Sequence, residues 1–109
     1  MSIQQIEKNT LLVTPEGELD HHLAAKIRTA VDAKLGSAAK NIVFDFSQMS
    51  FMDSSGIGMI IGRYKKVQRL GGEVVIAAPR PQVKRIIKIA GLSEIIRVEP
   101  NVKRAVKKL

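Results

Sequence analysis

Ile42-Val43-Phe44-Asp45-Phe46 is followed a few residues later by Phe51-Met52-Asp53-Ser54-Ser55-Gly56-Ile57-Gly58. The first run is short, β-branched and aromatic, which predicts a largely covered central strand with Asp45 at its rim. The second sets two hydroxyls between a carboxylate and a glycine-rich helix opening, after which Ile57, Ile60, Ile61, Tyr64 and Val67 recur at helical spacing. A strand that passes into a helix through a Ser-Ser-Gly turn is half of a crossover. Similar units on either side make a parallel sheet.

Upstream, Ile6, the polar Glu7-Lys8-Asn9-Thr10 and the apolar Leu11-Leu12-Val13-Thr14 read as strand, turn and strand. Pro15 and Gly17 bring that strand toward its end, leaving Glu18-Leu19-Asp20 near a loop that leads into a helix. Asp20 is placed to cap that helix, whose apolar face is Leu23, Ile27, Ala30, Val31 and Leu35, with Gly36 as its stop. Downstream, Gly71-Gly72 ends the second helix and introduces the strand-sized Glu73-Val74-Val75-Ile76-Ala77-Ala78. Pro79-Arg80-Pro81 excludes a continuing central strand. Val83, Ile86, Ile87 and Ala90 then form a helical face, Ile95-Ile96-Arg97-Val98 a short strand, and Val102, Ala105, Val106 and Leu109 a last amphipathic helix. The expectation is one α/β domain over residues 1–109, with a mixed β-sheet and helices packed on at least one side.

Composition removes several classes. The chain has 109 residues, 45% hydrophobic and 26% charged, which argues against disorder, and no apolar run approaches the roughly 20 residues needed to cross a bilayer. Met1 to Glu7 lacks the pattern of an export signal, so a soluble cytoplasmic protein is expected. With no cysteine there is no disulfide or thiolate chemistry. His21 and His22 are adjacent rather than spaced for a metal, and no cofactor is implied. A serine hydrolase would need a Gly-x-Ser-x-Gly elbow, which is absent here.

The net charge is +8, of which residues 84–109 carry +6. Lys84, Arg85, Lys88, Lys103, Arg104, Lys107 and Lys108 could contact phosphates, which keeps a basic nucleic-acid-binding module as the alternative function. Only 4% of residues are aromatic, and no reading helix or RNA-binding motif accompanies the charge. The few apolar groups of the last helix are needed to close the core, so no membrane attachment is expected.

The chemistry concentrates at Ser54. Unpaired amides and the positive end of a helix dipole meet there, and a phosphoryl group would add roughly −1.5 to −2 charge and three acceptor oxygens beside Asp53. Such a change is felt more by a docked protein than by a core. Gly56, Gly58 and Gly62 keep the helix bare, which suits either access by another protein or close packing against the sheet. Ser, Asp and Gly at a helix start are also ordinary capping and turn residues. Ser55 is a second possible acceptor or the helix cap. Asp20 and Ser54 lie about one crossover apart, each after a strand of the parallel sheet, so their loops share an edge. Asp20 can be a cap, a partner contact or both, while Arg63 and Arg69, among the charged residues of the exposed helix surface, could meet acidic groups of a partner.

Gly17-Glu18-Leu19-Asp20-His21-His22, Ser50 to Gly58, Gly62-Arg63-Tyr64-Lys65 and Gly71-Gly72-Glu73 together resemble the sporulation anti-sigma-factor antagonists of endospore-forming bacteria, members of the STAS-domain family. The similarity extends over essentially the whole chain. It implies that Ser54, the first serine of Asp-Ser-Ser-Gly, is phosphorylated by an anti-sigma factor that is also an ATP-dependent serine kinase. It further implies that the unmodified chain binds that kinase and so releases a sporulation sigma factor indirectly, and that a serine phosphatase restores the modified chain. The surface around Asp20, Asp53, Ser54, Ser55 and Gly56 would then face the kinase, and the chain would be a substrate rather than an enzyme.

Overall fold

The computed structural model describes all 109 residues. Its elements run β1 Ser2–Ile6, β2 Thr10–Thr14, β3 Gly17–Leu19, α1 His21–Asp32, β4 Asn41–Asp45, β5 Met49–Met52, α2 Ser54–Arg69, β6 Val74–Ala77, α3 Pro81–Ile89, a single 3₁₀ turn at Leu92–Glu94, β7 Arg97–Glu99 and α4 Val102–Lys107. The five-stranded sheet has the order β1-β2-β4-β6-β7. β1 pairs antiparallel with β2, and the other neighbours are parallel. This is the single α/β domain with a mixed sheet that the pattern predicts.

The order of the parallel strands explains where the helices lie. The chain steps from β2 to β4 to β6 to β7 always in the same direction, and crossovers of one hand therefore deposit α1, α2 and α3 on one face. Ala24, Ile27 and Val31 of α1, Met59, Ile60 and Val67 of α2, and Val83 and Ile87 of α3 join Ile42, Phe44 and Ile76 in one buried cluster. The alternate strand residues Val43, Val75 and Ala77 point the other way, where α4 covers them with Ala105 and Val106. β4 is thus apolar on both faces because both faces are covered.

Four details depart from the sequence pattern. Gly17-Glu18-Leu19 is a strand, not a loop, and it pairs in parallel with Met49–Met52 in a second, two-stranded sheet. Neither segment is long enough to display an alternation, so only their mutual pairing reveals them. The loops after Leu19 and Met52 therefore do share an edge, but it is the edge of this small sheet and not of the main one. The first helix ends at Asp32, so Leu35 lies beyond it in a bridge to Ala39. The last strand begins at Arg97, because Leu92–Glu94 is wound into the 3₁₀ turn.

Candidate functional site

β3 and β5 end side by side, with Leu19 opposite Met52, and the Asp53 N–H donates to the Leu19 carbonyl at 3.3 Å. Each strand is followed by one aspartate and then a helix. Asp20 has φ −94° and ψ −173°, and Asp53 has φ −97° and ψ −173°. The same extended cap geometry is thus used twice at neighbouring positions. The Asp20 carboxylate accepts the Leu23 N–H at 3.0 Å. That bond, with His22 adding to it, holds the Asp20 carboxyl below its ordinary value. The Asp53 carboxylate accepts the Ser55 N–H at 2.8 Å and the Gly56 N–H at 3.3 Å.

Asp53, not Ser55, is therefore the cap of α2. Its carboxylate occupies two free amides of the first turn, so both serine hydroxyls are left out of the capping role. Ser54 is the first helical residue and is exposed, while Ser55 is half-buried on the side facing α1. The two serines differ in access by one residue of helical rotation.

The glycines divide by role. A Cβ on Gly56 would stand 2.4 Å from Met52 Cγ and 3.1 Å from Leu19 Cδ2, so its absence lets α2 sit down on the small sheet. Gly58 and Gly62 meet nothing within 4 Å and leave a bare strip on α2. Close packing and open access, both compatible with the sequence, apply to different glycines.

Arg63 corrects an expectation. It is not on the exposed helix surface: it is 5% exposed, turned toward α1, with Nε 2.9 Å from Asp32 Oδ1. Lys66 Nζ lies 3.0 Å from the other oxygen of the same carboxylate. The Arg63 contact has the distance of an ion pair but not the angles of a hydrogen bond, and the buried Nη1 has no partner. Arg69 is exposed at the far end of α2, 15 residues and so about 22 Å from Ser54 at the usual helical rise. The structure thus gathers Asp20, Asp53, Ser54, Ser55 and Gly56 at one edge, and leaves Arg63 and Arg69 farther along the helix.

Three neighbours carry no site role in the sequence reading. Phe51 is 47% exposed on β5, three residues before Ser54. His21 and Arg28 of α1 line a groove against Ser55, Gly58 and Arg63 of α2. The signal for the groove was available: His21, Ala24, Ala25 and Arg28 follow the helical i, i+3, i+4, i+7 spacing. The basic C-terminal segment is partly neutralised within the fold, since Arg97 pairs with Glu73 at 3.1 Å and Glu99 at 2.9 Å, and Lys108 lies 3.6 Å from Glu99. No helix is long and apolar enough to cross a membrane.

With that geometry in place, the family model of the STAS domain matches residues 2–105. The chain belongs to the STAS-domain family. It is 36% identical over 95 residues to an anti-sigma F factor antagonist of Paenibacillus polymyxa, a match covering 86% of this chain and 81% of the relative. Its fold superposes on the anti-sigma factor antagonist SpoIIAA in its unphosphorylated form with a TM-score of 0.88 at 27% identity, covering 98% of this chain and 93% of the other. The phosphorylated form of the Bacillus cell fate determinant SpoIIAA gives a TM-score of 0.80 at 26% identity, covering 98% and 96%. This STAS domain is therefore homologous to anti-sigma-factor antagonists.

Proposed function

We propose that this STAS domain is a phosphorylation-switched anti-sigma-factor antagonist. In its unmodified form it docks on an anti-sigma factor that is also a serine kinase, and that occupancy frees a sporulation sigma factor. The kinase supplies ATP and magnesium and transfers a phosphoryl group to Ser54 Oγ. The modified chain then loses its hold until a serine phosphatase removes the group. The domain acts as substrate and binding competitor, and needs no cofactor of its own.

The observation that carries this reading is the exposed Ser54 at a helix start where the Asp53 carboxylate already holds the Ser55 and Gly56 amides. A phosphate there cannot simply take the Ser55 and Gly56 amides, because a carboxylate holds them. Its charge is therefore presented outward, beside Asp53 and Asp20, to whatever is docked on that edge. The homology to anti-sigma-factor antagonists supports the same role.

The test is reconstitution with an anti-sigma serine kinase, ATP and magnesium, followed by site-resolved mass spectrometry. Phosphate is expected on Ser54, with Ser54→Ala still docking but never modified and Ser55→Ala modified normally. Transfer to Ser55 or to a distant segment, or equal kinase affinity of modified and unmodified chains, would refute the switch.

A further inference from the structure

We propose that the groove between α1 and α2 is an oxyanion site that receives a carboxylate side chain of the protein docked at Ser54. The identity of that occupant rests on the function proposed above; the site itself does not.

The groove has a volume of about 290 Å³ and is walled by Ala24, Ala25 and Arg28 on one side and Ser55, Gly58 and Arg63 on the other. Its charged lining is two guanidinium groups, and no carboxylate is among the lining residues. Asp32, the internal counter-charge, lies on the Nε side of Arg63 and is shared with Lys66. Nε and Nη1 of Arg63 and Oδ1 of Asp32 are all buried without a hydrogen-bond partner, so the internal pair leaves the guanidinium's donors incompletely satisfied, a condition that native structures rarely leave uncompensated. Burial pushes the Arg63 guanidinium below its ordinary value, Asp32 opposes this, and the nearby Arg28 adds to the downward push. Two like charges that share a recess are relieved by an anion between them.

The dimensions suit a carboxylate on its methylene stem. The space is several times the roughly 30 Å³ share of one water, and the bare Gly58 and small Ala24 and Ala25 provide it. Guanidinium groups hold carboxylates in planar, charge-assisted pairs, and the Ser55 hydroxyl offers a further donor. An acidic side chain on a docked protein fits better than a free ion, because the groove begins at Ser55, next to the phosphoacceptor, and its two guanidinium groups, with no carboxylate in the lining, complement an acidic group on that partner.

The first experiment needs no partner. Sodium acetate and inorganic phosphate are titrated separately into the unmodified protein at constant ionic strength, and backbone and arginine Nε–H signals are followed by NMR. Saturable shifts confined to Ser55, Gly58, Arg28 and Arg63 are expected, weakened about tenfold or more in Arg28→Ala by loss of a charge-assisted contact. Arg28 is exposed, so that variant keeps the fold. Asp32→Asn, which removes the competing carboxylate, is expected to tighten binding. Linear shifts scattered over surface lysines, or shifts unchanged in Arg28→Ala, overturn the site.

The second experiment tests the occupant. Arg28→Glu is expected to weaken affinity for the anti-sigma kinase at least about tenfold, against a change of less than about threefold for Lys65→Glu on the exposed side of α2. Equal effects of the two substitutions overturn the docked carboxylate. Absence of any kinase binding alongside a saturable acetate titration overturns the occupant and the proposed function together, while the site stands.

Discussion

Phosphorylation of Ser54 should leave the stability of the fold nearly unchanged. The phosphate sits at the positive end of the α2 dipole, an interaction worth about 0.3–1 kcal/mol at an exposed site. Against it stands Asp53. Two negative charges repelling one at roughly 6 Å in water cost about 1.4 kcal/mol, and physiological salt roughly halves this. The two effects oppose each other and should leave a difference within about 1 kcal/mol. An unfolding entropy of about 2.1 cal/mol/K per residue converts that to a Tm shift of no more than about 4 °C for a chain of this size. The assay is thermal unfolding by circular dichroism of unmodified and singly phosphorylated protein in the same buffer. A shift beyond about 8 °C, or loss of a single cooperative transition, would show that the phosphate reorganises the core rather than the surface.

The glycines of α2 separate packing from access. Gly56→Ala drives a methyl against Met52 and Leu19 and should destabilise by about 1–3 kcal/mol, whereas Gly58→Ala meets open space and should stabilise by about 0.5–1 kcal/mol through helix propensity; urea unfolding of both variants decides it, and equal effects would contradict the packing. Asp32→Ala leaves the covered Arg63 without its counter-charge and should cost about 3 kcal/mol, much of it recovered in the Asp32→Ala/Arg63→Met double variant. No recovery in the same unfolding assay would mean that Arg63 is held chiefly by packing. The Asp20 carboxyl is held down by the Leu23 N–H and that of Glu99 by its bond to Arg97, so both fold in below their ordinary 3.8 and 4.5. Their contribution is therefore complete above those values and is lost as pH falls through the lower folded ones. Tm should be flat from pH 7 to about 5 and drop below about 4.5, and the drop should be shallower in Asp20→Asn and Glu99→Gln; an unaltered pH profile in both would remove these groups from the account.

The main crossovers were legible in the chain because they are periodic. Ile42 to Phe46 announces a strand covered on both sides, and Leu23, Ile27 and Val31 or Ile60 and Val67 announce helical faces, since burial on one side leaves a local repeat. Ser54 at a helix start was equally visible, because the change from strand to helix and the glycines are adjacent in sequence. The aspartate caps are only half visible: Asp20 is legible as a cap, while Asp53 takes a role that its neighbour Ser55 could have filled.

What tertiary structure alone decided depends on partners distant in the chain. Gly17–Leu19 and Met49–Met52 are strands only because they pair with each other, and that pairing brings Asp20 and Asp53 to one edge. Arg63 has the polarity of a surface residue, yet it is buried because α1 runs alongside and presents Asp32 to it. A helix's own period tells which residues share a face, but not whether that face meets solvent or another helix. That outcome belongs to the contact between α1 and α2, and the groove beside Ser54 exists only there.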